Sequence, residues 1–160
     1  MKAMTIEAFG DAADLKMIDL PTPTPHEHEV LIKVEYAAVN PVDWKIGEGV
    51  LREKLPHEFP VILGWDAAGE IAEVGEGVKT FKAGDAVFAY CRKPVVSQGT
   101  FTEYIALDAK YVALKPQSIN FAEAASIPLS ALTAWQSLFD FAHLKEGQTI
   151  LQTIAKSLIS

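Results

Sequence analysis

The chain has 160 residues, 49% of them hydrophobic and 22% charged, a balance that suits one globular domain with a real core and argues against a disordered chain. Its formal net charge of −7 and pI of about 5.0 set up a field that repels phosphate backbones and anionic membranes, so neither nucleic acid nor a membrane surface is an expected partner. The apolar runs break well short of the ~20 residues of a membrane span, "MKAMTIEAFGDAADLK" has no secretory apolar centre, and Cys91 is the single cysteine. A soluble cytoplasmic chain is expected, with no internal disulfide and no multi-cysteine zinc lobe.

In chain order, "MTIEAF" and "EVLIKVEYAAV" alternate or run apolar with β-branched content and read as strands. The "LPTPTPHEHE" between them is an exposed link, because its three prolines would remove ladder donors from a central strand. His26 and His28 form an H-x-H pair in that link, with no further ligand nearby, and read as solvated. "GEIAEVG", "DAVFAYC", "TFTEYIAL" and "YVAL" follow at close spacing, each bounded by Gly, Asp or Lys, the pattern of a small β-barrel or sandwich. From Asn120 the period changes. Asn120 with Glu123 makes a capping-box start, Pro128 interrupts, and Leu132, Trp135, Leu138 and Phe139 recur at helical spacing. Two consecutive helices are predicted, with Gly147 just past the second and "QTILQT" able to open a new strand.

Four segments, "AAVNPVDWKIGEG" (37–49), "FPVILGWDAAGEIAEVGEGVKTFKAGDAVFAY" (59–90), "GTFTEYIAL" (99–107) and "ASIPLSALTAWQSL" (125–138), resemble in order and approximate spacing the catalytic, GroES-like domain of the medium-chain dehydrogenase/reductase superfamily. The likeness is to its zinc-independent quinone oxidoreductase and enone (alkenal) reductase branch and covers nearly the whole chain. It implies a mainly β fold with C-terminal helices, a GroES-like partly open β-barrel, over residues 1–147. Residues 148–160 are then a truncated start of a Rossmann domain or a divergent tail. The implied reaction is hydride transfer from NADPH to a quinone or to the β-carbon of an enone, in an enzyme expected to be a homo-oligomer, most simply a dimer.

Where zinc-dependent relatives carry a ligand cysteine this chain has Asn40, and where they carry Gly-His-Glu it has Gly64, Trp65 and Asp66. An indole offers zinc no lone pair, and Asp66 alone cannot complete a tetrahedron, so no metal site is expected. A reaction without a Lewis acid must polarise its carbonyl with hydrogen-bond donors or a cation. The resemblance therefore implies catalytic roles for Asn40, Asp43 and Lys45, cofactor contact at Asn40 and Thr133, and a substrate pocket lined by Trp44, Trp65, Asp66 and Tyr90.

Each of these residues also has a plainer reading. Asn40-Pro41 is a common turn device, Asp43 can accept backbone hydrogen bonds in that turn, and Lys45 can be a solvated charge. Trp65 can be core wall, Asp66 a buried anchor, Tyr90 an ordinary strand residue, Thr133 a hydroxyl bonded back to the preceding turn, and Cys91 a small apolar strand residue. Cofactor pyrophosphate needs glycines for a tight turn and close backbone approach, and residues 148–160 contain none. A fragment, an altered gene product or a second half supplied elsewhere would each account for that. The 160-residue chain is accordingly expected to hold NADPH weakly and to be inactive alone, the alternative being a non-catalytic domain that acts through self-association or partner binding.

Overall fold

The structure, a computed structural model, describes residues 1–11 and 14–151. It contains eight strands among those residues, β1 (Lys2–Ile6), β2 (Lys16–Asp19), β3 (Glu29–Ala38), β4 (Val61–Ile62), β5 (Asp66–Val74), β6 (Ala86–Tyr90), β7 (Tyr104–Asp108) and β8 (Val112–Leu114). Three short α-helices accompany them among the described residues: α1 (Pro41–Gly47), α2 (Phe121–Ala125) and α3 (Pro128–Trp135), which runs into a wider π turn at Gln136–Phe141. β2-β1-β4 form one antiparallel sheet and β7-β3-β5-β6-β8 the other. The edge strands of the larger sheet do not pair with each other among the described residues. This is the mainly β, partly open barrel that the resemblance implies, where the spacing of short strands alone allowed a small barrel or a sandwich.

The larger sheet closes over Val30, Ile32, Ile71, Val87 and Ile105, all 2% exposed or less. Each such aliphatic side chain stabilises the fold by about 1.5–3 kcal/mol through removal from water. β3 and β5 can lie this close because position 69 is glycine; a Cβ there would collide with the Lys33 carbonyl oxygen. Two register shifts in β3, at Leu31/Ile32 and Val34/Tyr36, bend the strand as it approaches the site. A second cluster of Ile6, Val42, Ile46, Val61 and Trp65 fills the space between the smaller sheet and α1. The Met4 N–H donates to the Phe101 carbonyl at 2.8 Å and ties the two regions.

The Asn120–Glu123 box forms as the sequence predicts, with hydrogen bonds of 2.9 and 2.8 Å. Pro128 occupies the first turn of α3, where its missing N–H has no intrahelical partner to lose. Other expectations are corrected. "NPVDWK" is the start of α1 and not a turn, the second C-terminal helix ends in the π turn well before Gly147, and residues 148–151 form no strand. The rest of "QTILQT" lies outside the described residues.

Candidate functional site

Cross-strand register assembles the site. Ala38 pairs with Asp66, and Asp66 pairs with Tyr90, so Asn40, two residues beyond the end of β3, is delivered to Asp66 at the start of β5. Gly64, with φ +91°, turns the chain into β5. A side chain there would strike the Thr100 hydroxyl and the Phe101 ring, and for any other residue that φ is strained.

Asn40 caps α1 and Pro41 follows at the first helical position. The Asp43 carboxylate accepts the Asn40 backbone N–H at 2.7 Å, whereas the Asp43 N–H is taken by the Asn40 main-chain carbonyl at 3.0 Å. The Asn40 side chain also reaches Asp66, donating from Nδ2 to Oδ2 at 3.0 Å. Asp66 is fully buried, and its other oxygen, Oδ1, accepts the backbone N–H of Leu129 in α3, also at 3.0 Å. One carboxylate thus joins α1, β5 and α3.

Both acids are held above the usual carboxylate range. Burial pushes Asp43 from 3.8 up to about 6, the Asn40 N–H and the facing Gly64 N–H pull it back, and the Asp66 charge pushes it further up. The Asp43 Oδ1 is buried without a hydrogen-bond partner. Asp66 is raised chiefly by burial, against the lowering effect of Asn40 and Leu129. Burial likewise raises the Tyr90 phenol, with Arg92 acting to lower it.

Trp65 and Tyr90 meet edge to face with centroids 6.1 Å apart, a favoured aromatic geometry. Arg92 lies over the Trp65 ring at 5.6 Å. Beyond Tyr90, a hollow of about 330 Å³ opens between β6 and α3, lined by Phe88, Tyr90, Tyr111, Leu132 and Trp135 among others. Thr133 is exposed on α3, where its carbonyl accepts from Ser137 at 2.7 Å.

The geometry thus unites Asn40, Asp43, Asp66, Trp65 and Tyr90. It does not bring in Lys45 or Trp44: the Lys45 ammonium sits 5.7 Å from the Trp44 ring on α1, and no hydrogen bond or ion pair links either to Asn40, Asp43 or Asp66 among the described residues. Asp66 stands behind the pocket wall as a bracket. Two participants escaped sequence reasoning. Arg92 continues the two-residue period of β6 beyond Tyr90, which was a usable signal, whereas Leu129 acts through its backbone and carries none.

No three His, Cys, Asp or Glu side chains cluster to hold a metal among the described residues. Cys91 is wholly buried, and burial pushes its thiol up, which leaves it an inert core residue.

Residues 26–117 match the model of the alcohol dehydrogenase GroES-like domain. The chain belongs to that family. It is 43% identical over 146 residues to the chloroplast envelope quinone oxidoreductase homolog of Arabidopsis thaliana, covering 91% of this chain and 44% of that protein. It is 38% identical over 143 residues to the NADPH-dependent alkenal/one oxidoreductase, chloroplastic, of the same organism, covering 86% and 37%. Among solved structures it superimposes with a TM-score of 0.83 on an alcohol dehydrogenase superfamily protein from Novosphingobium aromaticivorans, at 35% identity over 92% of this chain and 44% of that one. The chain thus falls within an oxidoreductase family and spans less than half the length of these relatives. No helix among the described residues is long and apolar enough to cross a membrane.

Proposed function

We propose that this chain is the catalytic domain of an NADPH-dependent quinone or enone oxidoreductase that moves hydride without zinc. The observation that carries the reading is the Asn40–Asp66 hydrogen bond. At the two positions where a zinc enzyme would need donors, this chain presents an amide and an indole, and the amide is already held by a buried carboxylate. That donor set does not fit zinc.

The residues present do fit the nicotinamide end of NADPH. An exposed Thr133 stands on α3, Asn40 keeps one uncommitted Nδ2 proton, and the adjoining hollow is apolar. When bound, the cofactor supplies the hydride. Asn40 offers its remaining N–H to the carbonyl oxygen on which negative charge develops. Trp65 and Tyr90 shape an apolar wall that excludes water and accepts a flat, conjugated substrate. Asp43 and Asp66 touch neither reactant; they fix the Asn40 backbone and side chain.

The domain division proposed with this reading is 1–147 for the barrel, with 148–160 as the opening of a dinucleotide-binding half or a divergent tail. Pyrophosphate affinity comes from backbone N–H groups at a glycine-rich turn and a helix N-terminus, so the 160-residue chain should bind NADPH weakly and turn over negligibly. Fusing it to the part of the Arabidopsis quinone oxidoreductase homolog that this chain does not cover tests the assignment. NADPH-driven reduction of a quinone or an enone, with no zinc by elemental analysis, is expected. A fusion that binds NADPH yet reduces neither substrate, or that holds one tightly bound zinc per chain, overturns it.

A second reading is a non-catalytic domain acting through association, with a second copy of the chain as partner. It draws on the exposed Leu132, Trp135, Phe139 and Phe141. The mass of the 160-residue chain in solution together with the activity of the fusion separates the two: a chain that stays monomeric, in a fusion that reduces a quinone or an enone, contradicts it.

A further inference from the structure

We propose that Asp66 is a positioning residue that locks the orientation of the Asn40 amide and the N-terminus of α3 to one another. The proposal rests on the reading of Asn40 as the carbonyl donor and goes beyond it by naming what makes Asn40 a donor.

An asparagine amide is symmetric in shape but not in chemistry: rotated by half a turn, it presents an oxygen where it had presented an N–H. For a residue that must donate to a developing oxyanion, the wrong rotamer is repulsive. Asp66 removes the ambiguity. Its carboxylate can only accept, it is fully buried, and its Oδ2 lies 3.0 Å from Asn40 Nδ2. The reversed amide would set oxygen against oxygen at a carboxylate that is fully buried. One Nδ2 proton is committed to Asp66, and the direction of the other follows from the planarity of the group.

The second oxygen of Asp66 does a different task. α3 begins at Ile127, whose side chain cannot cap, and Pro128 takes the first helical position. The next N–H, that of Leu129, is accepted by Asp66 Oδ1 across 63 residues of sequence. A helix start normally satisfied by its own Ser, Thr, Asn or Asp is here satisfied from β5, where the negative charge also faces the positive end of the helix. α3 carries Thr133 and the lining residues Leu132 and Trp135. Because both oxygens belong to one rigid carboxylate, the distance between the Asn40 amide and the α3 face is fixed by a single side chain. A group needed only to satisfy one buried amide, or only to cap one helix, would not have to span both.

The test reads the two bonds directly in the 160-residue chain, by ¹⁵N-resolved NMR of the Asn40 side-chain amide and the Leu129 backbone amide. In the parent, one Asn40 Nδ2 proton and the Leu129 proton should be shifted downfield and protected from exchange, while the second Nδ2 proton exchanges faster. Asp66→Asn keeps an acceptor for Leu129 but can set N–H against N–H at Asn40. The Asn40 signals should therefore move and lose protection while Leu129 stays. The double change Asn40→Asp with Asp66→Asn reverses donor and acceptor and should restore a protected side-chain amide proton between the two positions. Two equivalent, freely exchanging Asn40 protons in the parent overturn the proposal whatever the variants do. So does an Asp66→Asn protein whose Asn40 signals are unchanged. These readouts are independent of reductase activity: an inactive fusion with protected Asn40 and Leu129 protons refutes the function, and an active one with neither proton protected refutes the lock.

Discussion

The two ends of α3 are secured in opposite ways. At its start, Leu129 N–H is bonded to a fully buried carboxylate and Pro128 is buried. Seven residues on, Trp135 is 60% exposed and its ring meets Phe139 at a tilt, with centroids 4.6 Å apart, and within the π turn Phe141 is 87% exposed. The first end spends polar atoms on fixing a position, and the second leaves apolar surface uncovered. Geometry at the Asn40–Asp66 site should therefore be sensitive to changes of a single atom, while the exposed stretch should tolerate substitution and respond chiefly in how the chain associates.

Asp66→Ala is expected to be the most damaging change at the anchored end. It leaves Asn40 Nδ2 and Leu129 N–H unpaired in a buried setting, and with each hydrogen bond to a charged group contributing roughly 1.5–3 kcal/mol, partly offset by no longer burying a charge, the net loss should be about 3 kcal/mol. Urea unfolding gives the number. A loss under half a kilocalorie would mean the carboxylate anchors nothing.

In the fused enzyme, Asn40→Ala should lower turnover by about a hundredfold, on the order of 3 kcal/mol, as removal of one preorganised oxyanion donor does elsewhere. NADPH affinity should change much less. Lys45→Ala sharpens the contrast, since the Lys45 ammonium lies by Trp44 and away from Asp66. Its effect on turnover should be the smaller of the two, and steady-state kinetics showing the reverse order would shift the polarising role to the lysine.

Asp43 gives the comparison a pH axis. Its carboxyl titrates near 6 in the fold against 3.8 in the open chain, so the folded state binds the proton more tightly. The sign follows: this residue's contribution is fully present below about pH 4, is lost as pH rises through 6, and amounts to about 3 kcal/mol in all. Asp66, also raised, acts in the same direction. The stability difference between the parent and Asp43→Asn, measured by chemical unfolding at several pH values, should change between pH 4 and 7 and be constant above. A difference that is flat across the whole range would mean Asp43 ionises freely.

Much of this was legible in the sequence, and the failures have physical causes. β-branched alternation bounded by turn residues gave the barrel strands, and Asn120 with Glu123 gave the start of α2, because these are local signals. β2 and β4, with four and two residues, are too short to show a period. The turn reading of Asn-Pro fails because the residues that favour turns also begin helices: Asn40 caps α1 and Pro41 opens it. Within the site, Asn40 and Asp66 were singled out as residues, but their bond depends on the register of β3 with β5, which no window of sequence encodes. The helical spacing of Leu132, Trp135 and Phe139 was a true period, yet these residues are 42%, 60% and 43% exposed. Periodicity identifies a face without identifying what covers it.

That face carries the smallest expected effect on folding. Trp135 is more than half exposed, and the ring it meets, Phe139, is itself exposed, so replacing it with Ser removes little apolar area that folding had buried. The stability change should stay within about half a kilocalorie, as for surface substitutions in general. Association should respond differently, because Leu132, Trp135, Phe139 and Phe141 together present more contiguous apolar surface than scattered single residues would. A twofold dimer would use this surface twice, each copy covering the other. Sedimentation of the 160-residue chain should therefore show a concentration-dependent dimer that Trp135→Ser shifts towards monomer, with the Asn40 and Leu129 amide signals unmoved. A parent that stays monomeric at millimolar concentration would refute the association. If Trp135→Ser instead disturbed the Leu129 amide, the two ends of α3 would be coupled, and the contrast between them would fail at its root.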